Sequence, residues 1–242
     1  FSSNIGAYKV AQKIGKEEFY KSLMLIGFGR QPGTGLPGEW GGRIQKPQNW
    51  REMRFANMAF GQGFAISPLQ LIHGLSIIVG GGIDRGVNLL KINAQKEAEF
   101  IGPPLRYIRE DTSRLIAKMM ETVVEEPGST GSPARIPGVL VAGKTGTAQI
   151  WSTREHSYSG RTPVFEGIIP ADDPKIAIVV VVDEAGIRPA QGGPVSGPIF
   201  AEIGAQLTGC NHAFDHVVPL AGLATSVEAT ALSQNGIATK SA

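Results

Sequence analysis

Apolar residues recur at helical spacing through the first part of the chain. They do so over residues 5–15 and again over 16–26, and Gly27 and Gly29 end the second run, so the pattern predicts two helices. Residues 30–54 break the pattern, because they are rich in Gly and Pro, and they predict a long, ordered loop.

A third helix is predicted after Ser67 and Pro68. A serine followed by proline at the first helical position is a start signal, and glycines from Gly80 onward end the apolar run at Val79. This helix is apolar on nearly every side, which predicts that it is buried. We interpret His73 within it as a histidine whose ring is satisfied by its neighbours, not as a metal ligand.

Two more helices are predicted in the second half of the chain. One runs from Asp111 to about Glu125, and the other from Pro194 to about Leu207. Each carries apolar residues at the spacing of a helix that packs on one side. The predicted packing positions are Leu115, Met119 and Val123 on the first helix, with Met120 as a further core candidate, and Ile199, Phe200, Ile203 and Leu207 on the second.

Three consecutive strands are predicted between these two helices, at residues 139–150, 163–170 and 175–183. The strands are joined by a loop around Gly160 and by the turn 171–174, which is too short for a crossover helix. Neighbouring strands are therefore predicted to run antiparallel. Helices packed on an antiparallel sheet give an α+β fold.

Composition limits the domain count and the partners. The 242 residues, 42% hydrophobic, suffice for one large domain over residues 1–208, followed by a tail over 209–242. A net charge of +2 without a basic stripe argues against nucleic-acid binding. Cys210 is the one cysteine, which excludes an internal disulfide, and the sequence holds no run of ~20 apolar residues that would span a membrane.

Two unrelated chemistries are compatible with the segment 143–149, Gly-Lys-Thr-Gly-Thr-Ala-Gln. Together with Gly138 it satisfies the spacing G-x-x-x-x-G-K-[ST] of a phosphate-binding loop, and the apolar run 176–184 ends in Asp-Glu like a magnesium-binding strand. Alternatively, its Lys-Thr-Gly triplet is one of the motifs of penicillin-binding proteins and serine β-lactamases.

The surrounding residues favour the second interpretation. A phosphate loop needs a strand before it and a helix that begins at its Lys-Thr. Here Pro133 and Pro137 precede the segment, Val-Leu-Val-Ala separates the two glycines, and poor helix formers follow Thr145. The triplet is therefore predicted to lie on an edge strand. Because a nucleotide fold needs parallel strands, Asp183 is interpreted as an acid at a strand end.

Two further motifs accompany the triplet: Ser2-Ser3-Asn4, and Gly-Gln-Gly-Phe-Ala-Ile-Ser-Pro-Leu-Gln over residues 61–70. In this combination, residues 1–208 resemble the transpeptidase domain of class B penicillin-binding proteins, the DD-transpeptidases that cross-link peptidoglycan. The resemblance implies a penicillin-binding transpeptidase fold similar to that of serine β-lactamases. It also implies acyl transfer from D-Ala-D-Ala stem peptides, with no metal and no organic cofactor.

The resemblance implies roles for four residues of the triplet strand. Thr145 and Thr147 would offer hydroxyl groups to the terminal carboxylate of the substrate, and the N–H of Thr147 would be one oxyanion donor. Gly146 would let the substrate backbone approach closely, and Lys144 would bring positive charge to the pocket. The alternative for Gly146 and Thr147 is ordinary strand packing.

The same resemblance implies that Ser2 relays a proton between nucleophile and leaving group, and that Asn4 holds the substrate amide and orients the general-base lysine. The alternative for Ser2 is a simple helix cap. In this family the acylated serine belongs to an upstream Ser-x-x-Lys motif, and no serine here is followed three positions later by lysine. We therefore interpret the chain, which begins at Phe1, as incomplete at its N-terminus, and do not expect it to acylate by itself.

An exported domain is implied, facing the periplasm or the cell exterior and tethered to the cytoplasmic membrane by a helix outside this sequence. Its implied partners are peptidoglycan stem peptides, β-lactam antibiotics and other proteins of cell-wall synthesis. In the tail, the segment 210–216 holds four potential metal ligands, which we interpret as accidental. From Val218 onward the tail weakly resembles the start of a PASTA module, and the alternative is a disordered terminus.

Other functions share these motifs. A D,D-carboxypeptidase or a serine β-lactamase differs from a transpeptidase in whether water or an amine receives the acyl group. A non-catalytic β-lactam sensor or scaffold domain would lack the serine of the upstream motif.

Overall fold

The computed structural model describes residues 2–89, 103–152, 156–183, 185, 190–209 and 228–233. The chain divides into two compact units, Phe1–Ser113 and Arg114–Ala242. Within the described ranges we find no helix with the length and apolar character that crossing a membrane requires.

The first unit is mainly helical. Its elements are α1 (Asn4–Ile14), α2 (Lys16–Leu25), a 3₁₀ turn (Pro47–Asn49), α3 (Glu52–Ala59), α4 (Pro68–Val79), and the short antiparallel pair β1 (Ile83–Asp84) and β2 (Leu105–Arg106). Helices α1, α2 and α4 confirm the sequence prediction. The loop predicted over 30–54 ends earlier than expected, because α3 begins at Glu52, beyond the last proline of that segment.

An aromatic cluster forms the core of the helices in the first unit. Trp50 and Phe55 stack with ring centroids 5.8 Å apart, and Ala11 and Met58 are buried beside them. The Trp50 indole N–H donates to the carbonyl oxygen of Gln45 at 2.9 Å, so the polar edge of this buried ring is satisfied. A tryptophan of the Gly- and Pro-rich loop is therefore a core residue.

The start of α4 is a capping box that also holds a loop in place. The Gln70 N–H donates to Ser67 Oγ at 3.2 Å, and the Ser67 N–H donates to Gln70 Oε1 at 2.8 Å. The Gln70 amide nitrogen lies 3.3, 2.8 and 2.9 Å from the carbonyl oxygens of Gly27, Arg30 and Gly41. Gln70 is only 1% exposed, so its side chain replaces solvent for three loop carbonyls.

The second unit contains an antiparallel sheet and helices. The boundary between the two units lies within helix α5 (Glu110–Glu125). A 3₁₀ turn at Ser132–Ala134 comes next along the chain. It is followed by β3 (Ala142–Ser152), β4 (Ser157–Ile169), β5 (Ile176–Val181), α6 (Gly192–Thr208) and β6 (Glu228–Ser233). The strand order is β3-β4-β5-β6, and each neighbouring pair is antiparallel. The α+β fold is confirmed, and β3 is a terminal strand of the described sheet.

The limits of all three predicted strands differ in the structure. Strand β3 begins at Ala142 and not at residue 139, because Val139 donates its N–H to the carbonyl oxygen of Ile136 in a separate turn. Gly160 lies inside β4, opposite Ile150, and not in a loop. The hairpin of β3 and β4 is therefore longer than its glycine suggested. The predicted turn 171–174 does join β4 to β5, where Lys175 N–H donates to the carbonyl oxygen of Ile169.

Helix α6 packs on the sheet, and its Phe200 ring meets Phe165 of β4 with centroids 4.8 Å apart. The buried core of this unit consists of residues from α6, from the sheet, from α5 and from the segment before β3. These residues are Val124, Ala134, Ile136, Val141, Phe165, Ile169, Ile178, Val180, Ile199, Phe200, Ala201 and Ala205. The predicted role of Leu207 is wrong, since it is 48% exposed, whereas Ile199 and Phe200 are buried and Ile203 packs against the core.

The predicted packing stripe of α5 is also wrong. Leu115 and Met119 are 56% and 57% exposed, whereas Ala117 and Val124 are buried. Residues seven positions apart share one face of a helix, and residue 119 lies about 200° around the helix from residue 117. The prediction chose the larger apolar side chains, but the buried face of α5 is the one that carries Ala117 and Val124.

Candidate active site

The predicted site residues lie in two places. Lys144, Thr145, Gly146 and Thr147 are consecutive residues of β3 in the second unit, while Ser2 and Asn4 lie at the start of α1 in the first. Asn4 is the first residue of α1, and both Ser2 and Asn4 are exposed.

The N-cap of α1 is Ser3, the residue that follows Ser2. Ser3 has extended backbone angles, and its Oγ accepts the N–H of Gly6 at 3.1 Å. The simple capping role that was the alternative interpretation for Ser2 therefore belongs to Ser3.

The first turn of α6 lies directly against the triplet strand. The N–H of Gly192 donates to Thr147 Oγ1 at 3.3 Å. A Cβ at Gly192 would collide with the carbonyl oxygens of Val164 and Gly146, and one at Gly193 would collide with the carbonyl oxygen of Thr130. Only glycine permits this approach of helix to strand.

The two glycines are functional candidates that the sequence reasoning missed, since it treated them only as residues before a helix. Their signal was present in the sequence: a pair of glycines, which are poor helix formers, directly precedes the predicted helix start at Pro194. Thr130 was missed as well. Its Oγ1 lies 3.4 Å from Thr145 Oγ1, and no pattern in the sequence joins the two.

Side chains alternate between the two faces along β3. Thr145 and Thr147 face the start of α6: Thr145 Cγ2 would lie 3.6 Å from a Cβ at Gly193, and Thr147 Oγ1 accepts the N–H of Gly192. Lys144 therefore projects from the other face, so a ligand that reaches Lys144 and the two threonines together must bind along the terminal edge of β3. The ammonium group of Lys144 stays near the strand, because Nζ donates to the carbonyl oxygen of Thr145 at 2.6 Å.

A carboxyl group stands opposite Lys144 on the neighbouring strand. Glu166 of β4 is the cross-strand partner of Lys144. Burial lowers the pKa of Lys144, and the charge of Glu166 opposes that shift. Burial raises the pKa of Glu166 to about 7, and the charge of Lys144 counteracts part of that rise. Sequence reasoning missed Glu166, because the pairing follows from strand register, which the sequence did not reveal.

Two other polar residues are satisfied inside their own units. His73 Nε2 lies 2.8 Å from Asp84 Oδ1, which confirms the interpretation of His73 as a satisfied histidine. Asp183, which follows β5, accepts a hydrogen bond from Thr162 Oγ1 at 3.0 Å, as expected of an acid at a strand end. Among the residues that the structure describes, no three His, Cys, Asp or Glu side chains are grouped for metal binding. The predicted accidental cluster at 210–216 lies outside those residues.

A surface cavity of about 490 Å³ lies beside the segment that precedes β3, and no residue of the triplet lines it. It is lined by Glu125, Arg135 and residues 136–140. The carboxylate of Glu125 accepts the N–H of Val141 at 3.0 Å, and Arg135 donates to carbonyl oxygens at the end of α5. The polar side chains that line the cavity therefore already make hydrogen bonds to the backbone, so we do not assign this cavity to the reaction.

The chain is similar to known proteins over most of its length. Residues 1–205 match the family model of the penicillin binding protein transpeptidase domain. A probable peptidoglycan D,D-transpeptidase PenA of Neisseria gonorrhoeae is 32% identical over 203 residues, which cover 84% of this chain and 34% of that protein. The chain thus spans about a third of the length of this curated relative.

Solved structures agree with that match. The apo transpeptidase domain of Burkholderia pseudomallei penicillin-binding protein 3 is 34% identical with a TM-score of 0.74, over 86% of this chain and 62% of that one. Penicillin-binding protein 3 of Mycobacterium tuberculosis, in complex with aztreonam, is 28% identical with a TM-score of 0.73, over 87% of this chain and 50% of that one.

Proposed function

This chain belongs to the family of penicillin-binding protein transpeptidase domains, and on that premise we propose that it takes part in peptidoglycan DD-transpeptidation. The reaction would transfer an acyl group from a D-Ala-D-Ala stem peptide and cross-link the cell wall. The observation that carries the proposal is the terminal strand β3, which presents Lys144-Thr145-Gly146-Thr147 beside the first turn of α6.

A terminal strand suits an extended peptide substrate. Its backbone can pair with the peptide as an added strand, which supplies affinity without demanding particular side chains. Gly146 leaves space for the peptide backbone, and Thr145 and Thr147 would offer hydroxyl groups to the terminal carboxylate, with the Thr147 N–H as one oxyanion donor. Lys144 would supply the positive charge that favours this carboxylate.

The acylated serine would come from a Ser-x-x-Lys motif outside these 242 residues, so we propose that the chain does not acylate by itself. That serine would attack the D-Ala-D-Ala peptide bond, release D-alanine and form an ester, and an amine of a second peptide would then displace the serine. Ser2 would relay the proton from nucleophile to leaving group, and Asn4 would hold the substrate amide and orient the lysine base. These two roles rest on the Ser-Ser-Asn motif.

The proposal extends to location, partners and domain limits. Residues 1–208 would belong to the transpeptidase domain and 209–242 to a tail, of which residues 228–233 add strand β6 to the sheet. The complete protein would be anchored in the cytoplasmic membrane with this domain outside, among proteins of cell-wall synthesis. A solved relative is in complex with aztreonam, which supports the proposal that this domain also binds β-lactams.

Fluorescent penicillin tests the proposal. We expect the complete protein, with its Ser-x-x-Lys motif, to form a covalent adduct that survives denaturation, and we expect residues 1–242 alone to form none. A folded complete protein that takes no label contradicts the proposal. Supplying a D-Ala-D-Ala donor peptide with D-amino acids or with water alone then distinguishes a transpeptidase from a carboxypeptidase or a β-lactamase, because only the first transfers the peptide acyl group to an amine.

A further inference from the structure

A buried acid faces the triplet lysine across two strands. Glu166 of β4 is in register with Lys144 of β3, and directly opposed residues of an antiparallel pair project from the same face. Opposed side chains have Cβ atoms about 5 Å apart, so the two groups share one environment. None of the roles in the proposed reaction uses Glu166.

Within the sheet, the nearest neighbours of Glu166 on its face, apart from Lys144, are apolar. On the same face, Glu166 has Val164 and Ile168 on its own strand and Val179 opposite it on β5. Among the described residues of β3, β4 and β5 and the turn after β5, the other acid placed toward this face is Asp183, which follows β5 and accepts a hydrogen bond from Thr162 Oγ1. Lys144 is therefore the cation with which Glu166 interacts most directly.

The environment opposes both charges. Burial lowers the pKa of Lys144, while burial raises the pKa of Glu166 to about 7. A buried carboxyl group lowers the stability of the fold, because it loses its hydration. A hydrophobic residue of similar size would fill the same place without that loss. The position of Glu166 beside the triplet therefore indicates a function.

We propose that Glu166 is a positioning residue whose protonation state sets the net charge that Lys144 presents to the substrate carboxylate. This inference rests on the proposed function and deepens it. With Glu166 protonated, the pair carries one positive charge and attracts the carboxylate of a stem peptide or a β-lactam. With Glu166 ionised, the pair is neutral and the attraction is weaker.

The direction of the pH dependence follows. Below about pH 6 the protonated Glu166 leaves the charge of Lys144 uncompensated, and above about pH 8 the carboxylate compensates it. Glu166→Gln keeps the uncompensated state at every pH. The ratio of the acylation rate constants of the variant and the native protein should thus be close to one at pH 5.5 and rise to about tenfold at pH 8.5.

The experiment measures the second-order rate constant of acylation by a carboxylate-bearing fluorescent penicillin, on the complete protein, from pH 5.5 to 8.5. The ratio cancels the titration of the general base, which is common to both proteins. Glu202→Gln, which removes a carboxylate at an exposed position of α6, is the matched control and should give a ratio near one throughout. Counting only acylated molecules at saturation corrects for any loss of folded protein.

The outcomes separate the two proposals. A ratio that does not change with pH overturns the role of Glu166, even though labelling succeeds. No labelling of the folded native protein at any pH overturns the proposed function and this inference with it. A carbon NMR titration of the Glu166 carboxyl group gives an independent check: Lys144→Met should raise its pKa further, and an unchanged titration midpoint would contradict the coupling.

Discussion

The turn at the start of α4 and the triplet strand β3 are both polar, and they use their polar groups in opposite ways. At the turn, Gln70 is buried, and the oxygen and the nitrogen of its amide both have backbone partners. On β3, burial works against the charge of Lys144 and against that of Glu166. Satisfied polar groups fix a structure, whereas groups held against their preferred charge state are typical of reactive sites.

The largest expected effect is on the reactive side of this comparison. Lys144→Ala should lower the rate constant of acylation by penicillin about 10³-fold, because it removes a preorganised positive charge from the pocket. Unfolding temperature should change little. Stopped-flow fluorescence of the complete protein measures the rate, and Lys118→Ala, at an exposed position of α5, is the control. Equal loss of rate in both variants would contradict a specific role of Lys144.

Glu166 gives the next largest effect, now on stability. Its pKa is raised from 4.5 to about 7 in the folded state, so its contribution to stability is fully present below about pH 4.5 and is lost as the pH rises through 7. Between pH 5 and 8 the native protein should lose at most about 3 kcal/mol relative to Glu166→Gln. Urea unfolding at both pH values measures this difference, and equal pH dependence of the two proteins would contradict it.

Gln70→Ala tests the scaffold side of the comparison. Loss of the amide leaves partly buried carbonyl groups of the 27–41 loop without their donor, which should lower the free energy of unfolding by about 3 kcal/mol. Gln206→Ala, at an exposed position of α6, should cost no more than about 0.5 kcal/mol. The acylation rate of the molecules that remain folded should be unchanged. A slower rate with unchanged stability would place Gln70 in the reaction instead.

The smallest effect concerns the two serine caps. Ser67→Ala should cost about 1 kcal/mol of unfolding free energy, because it removes one half of the capping box of α4. Ser3→Ala should cost less, since its cap lies near the exposed start of the chain, where helices fray easily. Thermal unfolding of the two variants gives the order, and a larger loss for Ser3→Ala would reverse it.

Local patterns predicted most elements and failed where a choice of face was needed. The start signal at Ser67 and Pro68 located α4, because a cap acts on the next few backbone groups. The stripe through Leu115 and Met119 failed, because which side of an amphipathic helix packs depends on the partner and not on the size of its side chains. Gly160 suggested a loop but pairs within a long hairpin, because a glycine in a strand can also accommodate a close neighbour.

By itself, the sequence determined the α+β class and the antiparallel order of the central strands, because these follow from periodicity and short connections. It also placed Lys144 to Thr147 on an edge strand, because the residues that flank the triplet disfavour a phosphate loop and a helix. Only the tertiary structure decided that Gly192 and Gly193 lie against that strand and that Glu166 faces Lys144. Both contacts join residues far apart in the chain, and they depend on strand register and on the approach of two backbones. No local pattern of side chains encodes either quantity.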